Sequence, residues 1–401
     1  MLDEHDHRSL GQRLDLFHLQ EEAPGMVFWH PRGLKLYRLL EEHVRRRMER
    51  EGYREVRTPQ IYAQPLWERS GHWENFRENM FLVEDGARQL AVKPVSCPGH
   101  IELVQRMAPS YRDLPLRLGE FGLVHRSEPG GALHGLFRLR QFTQDDGHIF
   151  CAEEQVQQEV VRFARSLKDF YAGFGFDDVQ VAFSSRPPVR AGEDAVWDKA
   201  ESWLLSAAKE AGLECQMQPG QGAFYGPKLE FVLKDRLGRA WQCGTIQLDL
   251  VLPERFDLRY VDASGAKLRP VMLHRALLGS LERFIGVLLE HHGGALPAWL
   301  APEQVVVASV GDAAGDYAER FAARLREAGC RARADIRSES LSKKIVDAHG
   351  DGAPWLVVVG KREVEAGAVR LRQRDGAQRD LPWDDAVAEL AAACRPAAMD
   401  A

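Results

Sequence analysis

Residues 117–150 read RLGEFGLVHRSEPGGALHGLFRLRQFTQDDGHIF, and the reading of this stretch decides the fold. Two short apolar segments flank a loop that carries Arg126, Glu128, His134, Arg138 and Arg140. Pro129, Gly130 and Gly131 punctuate that loop as a turn. The second segment, from Leu136 to Phe150, closes with Gln144, Asp145, Asp146 and His148. Segments this short around a glycine-rich turn predict an antiparallel hairpin with positive charge in its loop. A guanidinium is planar, always charged and forks onto phosphate, so Arg126 and Arg138 suit a polyphosphate ligand. Most charged hairpins are simply solvated. Here arginines, carboxylates and histidines alternate along one short element, which weighs against that plainer reading.

Working outward, 401 residues leave room for two or three domains. A hydrophobic content of 45% and a charged content of 28% are those of a globular protein. No apolar run reaches the length of a membrane span, and the polar, acidic start MLDEHDHRSLGQRLDLF is neither a secretory nor a transit signal. Six scattered cysteines without a C-x-x-C pair predict free thiols in a reducing, cytoplasmic setting. A net charge of −6 excludes a surface coated for DNA, though not a local basic patch for RNA.

Before the hairpin, Tyr37, Leu40, Val44 and Met48 share one face of a helix expected over 33–51, which Gly52 stops. YREVRTP then reads as a strand ending at Pro59. His72 lies in an aromatic stretch, where a lone histidine is more often structural than catalytic. The strand QLAVKPV leads to Ser96-Cys97-Pro98-Gly99-His100. That is either a local metal pair or a small buried cysteine before a turn, with His100 starting a helix.

After the hairpin, Val156, Val160, Phe163, Leu167, Phe170 and Phe174 form the apolar stripe of a helix over 153–175. The loop PGQGAFYGPK (219–228) fits neither the dinucleotide nor the phosphate-loop glycine spacing, and a strand follows it. It is a plain hairpin turn, or a place where backbone approaches a ligand beside Tyr225 and Lys228. The strand at 240–250 holds polar Gln242, Thr245 and Gln247 among apolar neighbours, and such groups need partners. His274 ends another strand, and Arg283 sits in an apolar helix, where an unpaired charge is rare. ALPAWLAPE marks a boundary, which predicts domains at 1–299 and 300–401. The second reads as a small α/β domain with a mostly parallel sheet and a basic segment of Arg331, Arg333, Arg337, Lys343 and Lys344.

Taken together, QEEAPGMVFWHP, the helix–strand–Pro59 unit, HRSEPGGALHGLFRLRQFTQDDGHIF, GQGAFYGPK, QCGTIQLD and HRALLGSLERF resemble the class II aminoacyl-tRNA synthetases, and within them the threonine-specific family. The resemblance runs from about His5 through nearly the whole chain. It implies an α+β catalytic domain, with a six- to seven-stranded antiparallel sheet and flanking helices, plus a C-terminal α/β domain like the family's anticodon-binding domain. The helix–strand–Pro59 unit corresponds to the dimer-forming motif, so a homodimer is implied, with no membrane attachment.

The resemblance also assigns roles. Cys97, His148 and His274 match three zinc ligands, one thiolate and two imidazoles, with coordination left open for threonine's amino and hydroxyl groups. Asp146 would orient the hydroxyl, and Gln144, Tyr225 and Gln247 match further amino-acid contacts. Arg126, Glu128, Arg138 and Arg283 match contacts to ATP, which is expected to bring Mg2+, with Phe142 stacked on adenine. Lys228, Gln242 and Thr245 line the same pocket. Arg126, Arg283, Lys228 and His72 are the implied catalytic set, His72 in the transfer of threonine to threonine tRNA. Family members often carry N-terminal domains, one of which hydrolyses mischarged seryl-tRNA. The chain starts at the catalytic domain, so measurable serine activation without editing in cis is expected. Two departures stand out. The family's MNCPGH is VSCPGH at 95–100, and its DLRNEKIGYKIRE is DIRSESLSKKIVD at 335–347. The second keeps two alternatives open, a threonine-activating paralogue with a non-tRNA acceptor such as a carrier protein, and a non-catalytic sensor.

Overall fold

The computed structural model describes residues 3–374 and 376–396, so the outer ends of the two expected domains, 1–2 and 397–401, lie outside the described residues. The chain separates into two compact units, one of 19–26 with 41–287 and one of 1–18 with 27–40 and 288–401.

The first unit is built on an eight-stranded sheet. Its order is Cys215–Gln218, Gln180–Ser184, Lys228–Lys234, Ala240–Asp249, Val271–Ala276, Gln141–Cys151, Leu116–His125 and Arg54–Glu55. The inner pairings are antiparallel and the outermost pairing at each edge is parallel. Eight strands replace the expected six or seven, because the edge pieces are too short to show an alternation in sequence. YREVRTP contributes only Arg54–Glu55.

The hairpin is the centre of this sheet, running in register from Leu116 opposite Phe150 to His125 opposite Gln141. Its second strand begins at Gln141 rather than Leu136. Residues 130–132 form a single 3-10 turn, and Leu136, Phe137 and Leu139 turn into the core instead of pairing. Gly147 pairs with Gly119, and a Cβ at Gly147 would stand 2.4 Å from the Arg275 guanidinium. Glycine there lets Arg275 lie flat against the underside of the sheet. Its charge sits over the Tyr53 ring and 3.3 Å from the Asp145 carboxylate.

The helix Val156–Ala172 buries the expected stripe, with Phe174 just past its end. In the helix Pro31–Arg50 the buried row is Leu36, Leu40, Val44 and Met48, one residue off the expected start, since Tyr37 is only half-buried. Gly52 follows at φ +79°, the left-handed turn that ends such a helix.

In the other unit a five-stranded sheet runs Ala332–Asp335, Val305–Ser309, Trp355–Val359, Ala368–Gln373, Gln378–Pro382. The first two pairings are parallel and the last two antiparallel, so the sheet is mixed rather than mostly parallel. The strand QRDLP carries almost no apolar signal and has no counterpart among the expected elements. Val305 and Val307 pack with Phe321, Leu325 and Leu390 on one face, and Val306 and Ala308 pack with Leu356 and Ala348 on the other. Covered on both faces, these strands read as continuous hydrophobic runs. Among the described residues no helix is long and apolar enough to cross a membrane.

Candidate active site

Successive residues of a strand point to opposite faces. That rule assembles the site on the eight-stranded sheet. His148 pairs with His274, His274 with Gln247, and Gln247 with Lys228. These four chemically active side chains therefore form one row across four neighbouring strands, on one face. Along the hairpin strand, Phe142, Gln144 and Asp146 share the face of His148. Thr143, Asp145 and Gly147 take the other, where Asp145 holds Arg275 and caps the amides of Leu277, Leu278 and Gly279. Burial raises Asp145 to about 6, against the pull of Arg275 and those amides.

Cys97 enters from outside the sheet, at the start of the helix Cys97–Met107. Its sulfur and ring nitrogens of His148 and His274 all lie within 4.8 Å of one another, and all three residues are buried. The outer nitrogens of both rings are already held. Nε2 of His274 is 2.8 Å from the Asp249 carboxylate, which also accepts from the amides of Val251 and Leu252. Nδ1 of His148 is 2.7 Å from Nδ1 of His100, whose Nε2 lies 3.2 Å from Glu120. Burial pushes Glu120 up, but His100, the Thr58 amide and Lys93 outweigh it and hold the carboxyl at about 2.

One set of tautomers along this relay leaves the inner nitrogens free for a ligand. In that set His274 donates to Asp249, His100 to Glu120, and His148 to His100. Nε2 of His148 and Nδ1 of His274 are then both bare lone pairs, 3.0 Å apart. Neither can donate to the other, so the pair calls for a cation at the point both face. A thiol beside two imidazoles, each oriented by an outer carboxylate, is the donor set and support that zinc takes. Burial raises Cys97 well above the ordinary thiol range, with Asp146 and Asp249 adding to it. A dication there would reverse that and hold the thiolate. The residues therefore fit the metal.

His72 is beside this group. It is buried, with Nδ1 at 2.9 Å from the Ser70 hydroxyl and Nε2 at 3.9 Å from the Cys97 sulfur. Burial lowers it to about 3, so it is a neutral imidazole. Tyr225 stacks on His274 at 4.7 Å and donates to Gln247 at 2.7 Å. Asp146 lies 3.7 Å from His148, its carboxyl raised by burial. Lys228 is tied to Glu230 at 2.7 Å.

The other end of the hairpin opens a cavity of about 430 Å³ lined by Arg126, Glu128, Phe137, Arg138, Phe142, Trp241, Gln242 and Arg283, among others. Three guanidiniums against one carboxylate make it a site for an anion. Two of them are fixed in advance by backbone carbonyls, Arg126 by Pro94 and Arg283 by Phe137 and Gln242. Arg138 is half-exposed and turned onto Glu128 at 2.9 Å. Arg126 also lies over the Phe142 ring. Arg283 is thus a buried cavity residue rather than a surface arginine. Thr245 does not line this cavity; its hydroxyl donates to the Leu229 carbonyl beside Gln247.

Sequence reasoning overlooked Asp249, Glu120 and Trp241, and met His100 only as part of a local metal pair or as a helix start, whereas it bonds His148. Asp249 lies two residues past Gln247, so extending the period-2 face would have found it. His100 lies three residues past Cys97 on one helix face. Trp241, 4.2 Å from Phe137 across the cavity wall, carries no local signal. A second buried group, Asp6 with His7 and Glu290, also gathers donors in the other unit. There Arg8 forks onto Asp6 and His7 bonds Glu290, so its charges are already answered.

With this geometry in hand, the chain was compared with known proteins. Residues 81–292 match the tRNA synthetase class II core domain (G, H, P, S and T), and residues 304–393 match an anticodon binding domain. The chain is similar to a threonine--tRNA ligase of Cupriavidus necator, 54% identical over 93% of this chain and 59% of that one. A threonine--tRNA ligase of a Caulobacter species is 56% identical over 98% of this chain and 60% of that one. The chain thus spans about three fifths of the length of these curated relatives. Among solved structures it is similar to the RNA binding domain of threonyl-tRNA synthetase from Cryptosporidium parvum, at 40% identity and a TM-score of 0.94, covering 98% of this chain and 100% of that one.

Proposed function

This chain belongs to the class II tRNA synthetase core-domain family, and on that premise we propose that it activates L-threonine with ATP and passes it to threonine tRNA. The observation that carries the reading is the cross-sheet row of His148, His274 and Gln247, closed by Cys97 and adjoining an arginine-lined cavity. The similarity to threonine--tRNA ligases supports the choice of amino acid.

Cys97, His148 and His274 would hold Zn2+, which would supply a Lewis acid for the amino and hydroxyl groups of threonine. Asp146 accepts from the hydroxyl, and Gln144, Tyr225 and Gln247 fix the rest of the amino acid. Valine would leave Asp146 unpaired and is rejected, whereas serine keeps the hydroxyl and is activated measurably. ATP, as its Mg2+ complex, takes the cavity, with adenine on Phe142 and its phosphates met by Arg126, Arg138 and Arg283, beside Glu128 and Gln242. The threonine carboxylate attacks the α-phosphorus in line. Arg126, Arg283 and Lys228 stabilise the charge that develops. Pyrophosphate leaves, and a ribose hydroxyl at the tRNA 3′ end then attacks the acyl carbon. His72, neutral and beside Cys97, is the base nearest that second step.

The matches on either side of residue 300 support domains at 1–299 and 300–401. We also assign a homodimer, formed through the helix–strand–Pro59 unit, whose short strand is an edge of the catalytic sheet. Charging of threonine-acceptor tRNA, with an anticodon-mutated tRNA beside it, tests the function. Charging that needs both ATP and the cognate anticodon supports it. Threonyl-adenylate without acyl transfer to tRNA rejects it in favour of another acceptor.

A further inference from the structure

The six cysteines are free, and the site described uses only Cys97. Two others meet in the C-terminal five-stranded domain. Cys330 precedes the strand Ala332–Asp335 and Cys394 ends the terminal helix Trp383–Ala393, so they are far apart in sequence and belong to one packed cluster. A single buried amide fixes their approach. Gln304 accepts from the Arg331 amide at 2.9 Å, and its side-chain NH2 donates to the Cys394 carbonyl at 2.7 Å. Its own amide donates to the Arg331 carbonyl, and Cys330 itself is tied back to Leu325. Both cysteine backbones are therefore held, and both side chains lie in the same packed cluster. The pair lies at the rim of the core: Ala393 and Arg395, on either side of Cys394, are exposed.

We propose that Cys330 and Cys394 are a redox-sensitive pair that closes into a disulfide on exposure to peroxide. The chemistry distinguishes Cys330 from every other cysteine in the chain. Burial raises Cys97, Cys151, Cys215 and Cys243, which keeps them as unreactive thiols. Cys330 alone is lowered, by the hydrogen bond from the Cys394 thiol, with the Arg331 and Arg395 charges helping. It is the sulfur that attacks. The Cys330 thiolate displaces hydroxide from hydrogen peroxide, breaking the O–O bond and forming a sulfenic acid. The Cys394 sulfur then attacks that sulfenic sulfur, the S–S bond forms, and the oxygen leaves as water with the proton of the Cys394 thiol. Two thiols and one peroxide give one disulfide and two waters. The bond ties the end of the terminal helix to the start of the edge strand Ala332–Asp335, and a reducing thiol reopens it.

The test is peroxide titration of the full chain, followed by alkylation, digestion and mass spectrometry, with partly exposed Cys215 reporting that oxidant has reached the protein. The expected result is a linked Cys330–Cys394 peptide, a fall in Cys330 alkylation of about tenfold, and full recovery with dithiothreitol. Cys394→Ser should leave a sulfenic acid at Cys330 that dimedone traps. Cys330→Ser should leave Cys394 unoxidised under the same dose, and both variants should keep the parent's threonine activation. Oxidation of Cys215 while Cys330 and Cys394 stay separately alkylatable overturns the proposal. So does linkage of either cysteine to a second chain instead of to its neighbour.

Discussion

The two largest sheets of this protein are built on opposite terms. The five-stranded sheet is apolar on both faces, with valine and alanine along its central strand and leucine and phenylalanine packed against it. The eight-stranded sheet buries His148, His274, Asp145, Asp249, Glu120 and Arg275 in its middle strands or against them. Each of those groups costs desolvation, and each is answered by a named partner. The difference is that one sheet holds its domain together while the other fixes donors and charges at defined points. Substitution should therefore damage stability in the first and chemistry in the second.

The largest expected effect is structural. Phe321→Ala removes a fully buried ring from the five-stranded domain and should cost about 3–5 kcal/mol in urea unfolding of that domain. Threonine-dependent pyrophosphate exchange should be unchanged at a temperature where the variant is folded, and a matching loss of exchange would break the comparison. Asp249→Asn, next, is nearly isosteric but presents an NH2 to His274 where a carboxylate accepted. It should lower zinc affinity by about 10–100-fold with little change in melting temperature, read by competition with a chelator.

Glu282 sharpens the contrast through pH. Burial raises it from 4.5 to about 7, while its carboxyl accepts from the Thr143 amide and the Ser280 hydroxyl. The folded chain thus keeps a proton that the unfolded chain releases once pH passes the ordinary carboxylate range. This contribution is complete below 4.5 and is lost as pH rises towards 7, on the order of 3 kcal/mol. Unfolding of Glu282→Gln followed from pH 4.5 to 7.5 should lack that decline. An identical slope in both proteins would contradict it. The smallest effect is at Tyr225. Tyr225→Phe loses one hydrogen bond to Gln247 and keeps the ring on His274, so threonine KM should rise by an amount equivalent to about 1 kcal/mol.

Much of this contrast was legible in the sequence. The hairpin showed itself through turn residues and charge pattern, whereas the register that puts His148 and Asp146 on one face came from the structure. The valine runs at 305–309 and 355–359 announced a sheet covered on both sides. What could not be read is what depends on strands meeting from distant parts of the chain. Cys97, His148 and His274 became a set only through the family resemblance, since no spacing connects a helix start with two strands far apart along the chain. Asp249, Glu120 and the bond of His100 to His148 were missed because the work of these residues is to orient other side chains, which leaves no composition signal. Arg283 read only as a charge in need of a partner until the Phe137 and Gln242 carbonyls were seen to hold it. The short edge strands and QRDLP carry too few residues for any period to show.

The central claim is that the thiol and two imidazoles hold a metal that recognises threonine. Its most direct measurement is zinc content and threonine-dependent pyrophosphate exchange in the parent chain and in Cys97→Ser, with circular dichroism to confirm folding. The account predicts about one zinc per chain in the parent, from a single site of three protein ligands, and loss of both zinc and exchange in the folded variant. Full exchange by a metal-free, folded Cys97→Ser protein would contradict it.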